Sequence, residues 1–214
     1  MKFKAAAVRL NTQKNMNYKQ KHPETCLAKC LMILLENFGN KIPHNYELDL
    51  LIFSLKYERE NIARGHLEKI TKNFKVNVDW YADSKIFFDL VKKMRLPKKI
   101  SLINEKINLG FIDIILETPV IVYIDRFHLW KKELGLYYKY HYPHFIIVNR
   151  KVGNFYEIID PDDGKIKKIE AKKLSKSIIS LRNHLWISPQ AIKLKQLEAN
   201  KKLQIRKDLK KRVF

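Results

Sequence analysis

Gln20-Lys21-His22-Pro23-Glu24-Thr25-Cys26 leads into Leu27-Ala28-Lys29-Cys30-Leu31-Met32-Ile33-Leu34-Leu35. Apolar residues fall at Leu27, Cys30, Leu31, Leu34, Leu35 and Phe38, the i, i+3, i+4 stripe of a helix buried along one side. Pro23 has its φ preset for a first helical turn, Thr25 is of the capping type, and Glu24 suits the positive end of the dipole. Gly39-Asn40 supplies a left-handed stop. Cys26 is thereby placed in the first turn of a buried helix, where exposed amides and the dipole favour the thiolate, the reactive form. The same position also suits a small core hydrophobe, and Cys30, one turn on inside the stripe, is read as core. Two cysteines make no disulfide framework, and Cys26-x3-Cys30, with or without His22, matches no common zinc module.

Working outward, residues 2–10 read as a short strand or extended arm, followed by a polar loop. Asn45 and Glu47 predict a second helix running to about Tyr57, and a third is expected after Gly65, with Leu67, Ile70 and Phe74 on one side. Lys75–Tyr81 alternates as a strand does. Residues 84–96 form a helix with Ile86, Phe87, Leu90, Val91 and Met94 inside, ended by Pro97. Leu102-Ile103 suits a strand, and 109–116 a short helix. Val120–Ile124 is a short β-branched run, hence a buried strand. The aromatic and charged stretch 125–141 reads as a hairpin arm or an insertion.

Three strands follow in close succession at 144–148, 156–159 and 165–169, with Gly153-Asn154 and Asp163-Gly164 as turns. A helix at 171–180 and a strand at 184–187 close the domain. Helices first and a meander afterwards predict an α+β fold on an antiparallel sheet, not a doubly wound parallel one. The expected division is one domain over 1–188 and a basic helical tail over 189–214.

The chain carries 43 Lys+Arg against 22 Asp+Glu, a formal net charge of +21 spread along its length. Such a surface attracts nucleic acid, anionic membranes or acidic peptides. The same lysine excess arises from an AT-rich coding sequence, and no Gly/Arg-rich segment or RNA-binding signature accompanies it. No run of 18 apolar residues suggests a membrane span, and the N-terminal apolar stretch is too short for a signal peptide, so a cytoplasmic location is expected.

Three pieces line up as chemistry. Cys26 opens the buried helix, His144 opens the first meander strand after Pro143, and Asp160 closes the next in Ile159-Asp160-Pro161-Asp162-Asp163-Gly164. A hairpin around Gly153-Asn154 brings His144 and Asp160 to one sheet edge. With the helix packed on that sheet, nucleophile, base and orienting carboxylate meet. Gln20, six residues before the cysteine, can join the Cys26 backbone N–H in an oxyanion hole. Singly, each residue has a plainer reading: His144 a surface polar group, the Asp-rich segment a turn, Gln20 a loop residue.

The string Gln20-x5-Cys26-x3-Cys30, then His144-Phe-Ile-Ile-Val148, then Ile159-Asp160-Pro161-x-x-Gly164 resembles the bacteriocin-processing, double-glycine-leader cysteine peptidases over roughly residues 18–188. That resemblance implies a papain-like fold, with Gln20, Cys26, His144 and Asp160 in the oxyanion, nucleophile, base and orienting roles. It implies a peptide or protein substrate and no cofactor. The family usually has Gly after the nucleophile, where this chain has Leu27, and 40–118 shows no leader-recognition groove. The same thiol would also serve an acyltransferase. A reading of another class is a basic nucleic-acid-binding module, drawn from the charge and the Lys201-Lys202 and Lys210-Lys211-Arg212 clusters. A third has the tail docking a partner whose peptide is processed.

Overall fold

The computed structural model describes residues 18–22, 24–57, 61–130 and 141–196. The expected arm at 2–10 and the helical tail beyond 196 lie outside the described residues. The N-terminal half builds α1 (Cys26–Asn37), α2 (Tyr46–Leu55), α3 (Ile62–Asn73), β1 (Val76–Ala82), α4 (Lys85–Lys93), β2 (Ile100–Asn104) and α5 (Leu109–Ile115). The rest is β3 (Val120–Asp125), the single turn α6 (Phe127–Trp130), β4 (Pro143–Val152), β5 (Phe155–Asp160), β6 (Lys165–Glu170), α7 (Ala171–His184) and β7 (Gln190–Gln196). The class is α+β: seven strands in one mixed sheet, ordered β2-β1-β7-β3-β4-β5-β6, with seven helices among the described residues.

The β3–β6 meander is antiparallel throughout; its β4–β6 part is as the turns predict, with Gly153 and Gly164 at φ +59° and +68°. The wholly antiparallel sheet needs correcting. β1 and β2 pair in parallel, Val78 facing Ile100, with α4 as the crossover. A strand, a helix and a second short strand were all legible in the sequence; their joining into one parallel unit was not.

The second correction concerns 184–196. The expected strand at 184–187 is the end of α7 and a loop, while 190–196, expected as the start of a basic helix, is β7. It runs between β1 and β3, near the middle of the sheet. Of the two lysines in this central strand, Lys193 is buried and Lys195 is half in solvent, and each meets a carboxylate. Lys193 Nζ donates to Glu117 Oε1 at 2.5 Å, and Lys195 pairs with Asp79. The apolar alternation Ile192/Leu194 was hidden behind these charges.

The sheet is covered on both faces, which is why β3, β4 and β5 are apolar at consecutive positions. Helices α1–α4 pack with Ile121, Phe145, Ile147, Ile159 and Ile192. Helices α5 and α7 pack with the alternate residues Val122, Ile146, Val148 and Ile158. In α4 the inner face is Phe87, Val91 and Met94. Phe87 meets Trp80 edge-on at 5.6 Å, while Ile86 and Leu90, also expected inside, are 75% and 54% exposed. The helix touches the sheet along a stripe too narrow for all five.

Gly65 lies within α3, not before it. A Cβ there would stand 2.6 Å from Ser54 Cα, so the bare backbone lets α2 and α3 touch. Gly65→Ala is expected to lower stability by about 1–2 kcal/mol in urea unfolding, because the backbone clash outweighs the helix-propensity gain.

Candidate active site

Helix α1 lies along the start of β4, where the buried Cys30 thiol donates to the Phe145 carbonyl at 3.6 Å. Burial raises the Cys30 pKa well above its ordinary value, so this thiol stays protonated, as the core reading expected. Cys26 is the first residue of the helix and is half-buried. Thr25 precedes it but does not cap by side chain, which corrects the expected role. Its hydroxyl turns away, 2.6 Å from the His22 carbonyl and 2.5 Å from Glu47 Oε1. The same Glu47 oxygen accepts from the N–H groups of Lys21 at 2.8 Å and His22 at 3.2 Å. One buried carboxylate on α2 therefore shapes the loop that delivers Cys26. Pro23 lies outside the described residues. Glu24 holds a left-handed φ of +62°, a sparsely populated conformation for a residue with a side chain, two positions before the thiol.

His144 and Asp160 come together as the hairpin argument predicts. His144 Nε2 is 2.8 Å from Asp160 Oδ1, and the residues are 1% and 0% exposed. Since Nε2 faces the carboxylate, Nδ1 is the nitrogen left for the thiol. Cys26 is close enough to this ring to contribute to the rise in its pKa. Burial alone would depress the imidazole pKa. The bond to Asp160, with the bond and charge from Cys26, outweighs burial and raises it to about 10. For Asp160 burial works upward, but the His144 contact, the Asp162 N–H at 3.0 Å and the Arg126 charge bring it down to about 2. Arg126 itself pairs with Asp162, one turn residue away.

Gln20 is placed by its backbone. Its N–H donates to the Pro161 carbonyl at 2.6 Å, setting it against the turn that carries Asp160. Gly164 permits this approach, since a Cβ there would lie 2.5 Å from Lys19 N. The Gln20 Oε1 is buried with no hydrogen-bond partner among the described residues. All four sequence-derived site residues thus belong to one neighbourhood, formed by the α1 start, the β4 start and the turn after β5.

A cleft of about 410 Å³ opens beside Cys26. Its walls are largely apolar and aromatic, with Leu27, Ile62, Tyr123, Tyr142 and Phe145. Tyr123 and Phe145 stack at 4.1 Å. The sequence reading missed His66, one of the cleft's polar members. Its Nδ1 is 2.9 Å from both the Ile62 carbonyl and Ser54 Oγ, and the Ser54 hydroxyl donates to the Leu50 carbonyl at 2.6 Å. Both neighbours of Nδ1 accept, so Nδ1 carries the hydrogen and Nε2 is a bare acceptor. Nε2 is buried and unpartnered among the described residues, and burial lowers the ring's pKa to about 4. Only a His at i+4 of an early α3 residue marked it in sequence, which is no functional signal.

No protein-family model matches the chain, and no curated protein matches it. What the site can do therefore follows from its own geometry. His144, Asp160 and Asp162 hold ligand atoms within 4.8 Å of one another, but the Arg126 guanidinium paired with Asp162 already places a positive charge there. Among the described residues no helix is long and apolar enough to cross a membrane.

Proposed function

We propose that this chain is a cysteine peptidase or amidase with a papain-like arrangement, akin to the double-glycine-leader peptidases its motifs resemble. The observation that carries the reading is the buried His144 ring, held by Asp160 on one nitrogen and acted on by Cys26 at a helix start. Cys26 Sγ attacks the carbonyl carbon of a peptide or amide bond. Gln20 Nε2 and the Cys26 N–H stabilise the oxyanion that forms. His144 passes its Nδ1 proton to the departing amine as the C–N bond breaks, leaving a thioester on Cys26. Water then attacks, giving its proton to His144, and the carboxylic acid product leaves with the thiol restored. Release by an amine instead would make the same site an acyltransferase.

The cleft favours an apolar substrate side chain beside the scissile bond. Leu27 lines the cleft where the resembling family has Gly, narrowing the approach of substrate backbone to the thiol.

A chloroacetamide probe at neutral pH tests the reading. Cys26 is expected to alkylate at least roughly tenfold faster than free cysteine, as an activated thiolate does, while Cys30 stays unlabelled. Mass spectrometry of cell peptides with the wild type and with Cys26→Ala then shows whether the products end in carboxylates or in amine adducts. Equal labelling of Cys26 and free cysteine would remove the proposal.

A further inference from the structure

Three of the seven histidines meet at a place distinct from the thiol. His128 comes from α6, His141 from just before β4, and His184 from the end of α7. Among them lies Asp125, wholly buried at the end of β3. His141 Nδ1 and Ser180 Oγ each stand 2.5 Å from Asp125 Oδ2. His128 Nε2 lies 3.1 Å from Ser180 Oγ, and His141 Nδ1 3.4 Å from it. The His141 and His184 rings stack at 4.3 Å. The other carboxylate oxygen, Asp125 Oδ1, is held by the N–H groups of Phe127 at 3.0 Å and Tyr142 at 3.2 Å. Only Oδ2 faces the histidines.

We propose that Asp125, His128 and His141 form a site for a divalent transition-metal ion of the zinc type. Their ligand atoms all lie within 4.8 Å of one another. Two imidazole nitrogens and one carboxylate oxygen suit Zn²⁺, whereas Mg²⁺ and Ca²⁺ take oxygen sets. Bonds of about 2.0–2.2 Å in a tetrahedron separate ligand atoms by roughly 3.3 Å. The His141–Asp125 contact then opens by under about 1 Å, a small move for a ring that is 29% exposed. The two amides on Oδ1 fix the carboxylate from behind, as outer partners do for metal-binding groups. The fourth position falls to Ser180 Oγ or water.

Zinc there staples three separate pieces of chain: the β3 end with α6, the lead-in to β4, and through Ser180 the helix α7. Tyr142, whose amide rests on Asp125 and whose side chain lines the cleft, is fixed with them. The site serves as a structural clamp at the cleft rim, and it does not depend on the peptidase reading.

The test uses the full chain with Cys26→Ala, so that the reactive thiol takes no metal, stripped with a chelator and titrated with Co²⁺. The expected result is one Co²⁺ per chain with the visible absorption of a four-coordinate ion, displaced by Zn²⁺. Zn²⁺ also raises the melting temperature. His128→Asn and His141→Asn should each weaken binding by more than the roughly 10–100-fold that outer-sphere changes cost. His128→Asn, on the half-buried single turn, keeps the test alive if the His141 variant misfolds, as checked by circular dichroism. Absence of a Co²⁺ spectrum overturns the proposal. So does a spectrum that survives His128→Asn and vanishes on His144→Ala, since the ion would then sit at the catalytic group.

Discussion

His144→Ala is expected to reduce peptide turnover by a factor on the order of 10⁴ or more, and to slow alkylation of Cys26 to the rate of an ordinary thiol. Under the proposed mechanism the ring has two jobs. It supplies the proton for the leaving amine, and its positive charge faces the sulfur. The pH profile separates these jobs from a merely structural role. The imidazole pKa is raised from 6.5 to about 10, so the ring keeps its proton through neutral pH and loses it only on the alkaline side. The wild-type alkaline limb is therefore expected near pH 10. In Asp160→Asn the carboxylate charge is gone and burial pulls the imidazole the other way, so the limb moves to lower pH. A limb unmoved by Asp160→Asn would show that Asp160 does not govern the ring.

Asp160→Ala carries the largest expected cost in stability, about 3–5 kcal/mol, because it strands a charged imidazole in the interior. The pH dependence has a definite shape. Asp160 is lowered from 3.8 to about 2, so its contribution is whole above 3.8 and fades as pH falls through 2. His144 is raised, so its contribution is whole below 6.5 and fades as pH climbs through 10. The difference between wild type and Asp160→Ala is thus greatest between about pH 4 and 6.5, and shrinks on both sides. Urea unfolding at pH 5 and pH 9.5 measures it. Asp160→Asn, which keeps a hydrogen-bonding group, should lose less at pH 5. An equal loss at both pH values would mean that Asp160 acts through packing and not through charge.

The part of the molecule nearest the thiol was the most legible in the sequence. A 3.6-residue stripe after Cys26 and two glycine-marked hairpin turns depend on local chemistry, and α1 and the β4–β6 meander follow from them. The proximity of His144 and Asp160 came from counting residues along one hairpin. Other features needed contacts across long stretches of chain. Glu47 reads as a helix-start acid, yet it ties down residues 21–25 from another helix. Lys193 reads as solvent-facing, yet it is buried with Glu117 opposite it. The cluster at Asp125 gathers residues spread over about sixty positions, with nothing in their spacing to announce it.

The position of β7 has a consequence for synthesis. It is the last described strand, yet it lies between β1 and β3, joining a β2-β1 pair to a β3–β6 block. While a ribosome is still making residues 190–196, the two sheet fragments have no strand between them. The nascent chain can fold its helices and its hairpins, but the two sheet fragments are joined only after that strand has left the exit tunnel. The sheet on which α1 and the Cys26 thiol rest is thereby complete only once residues 190–196 have been made.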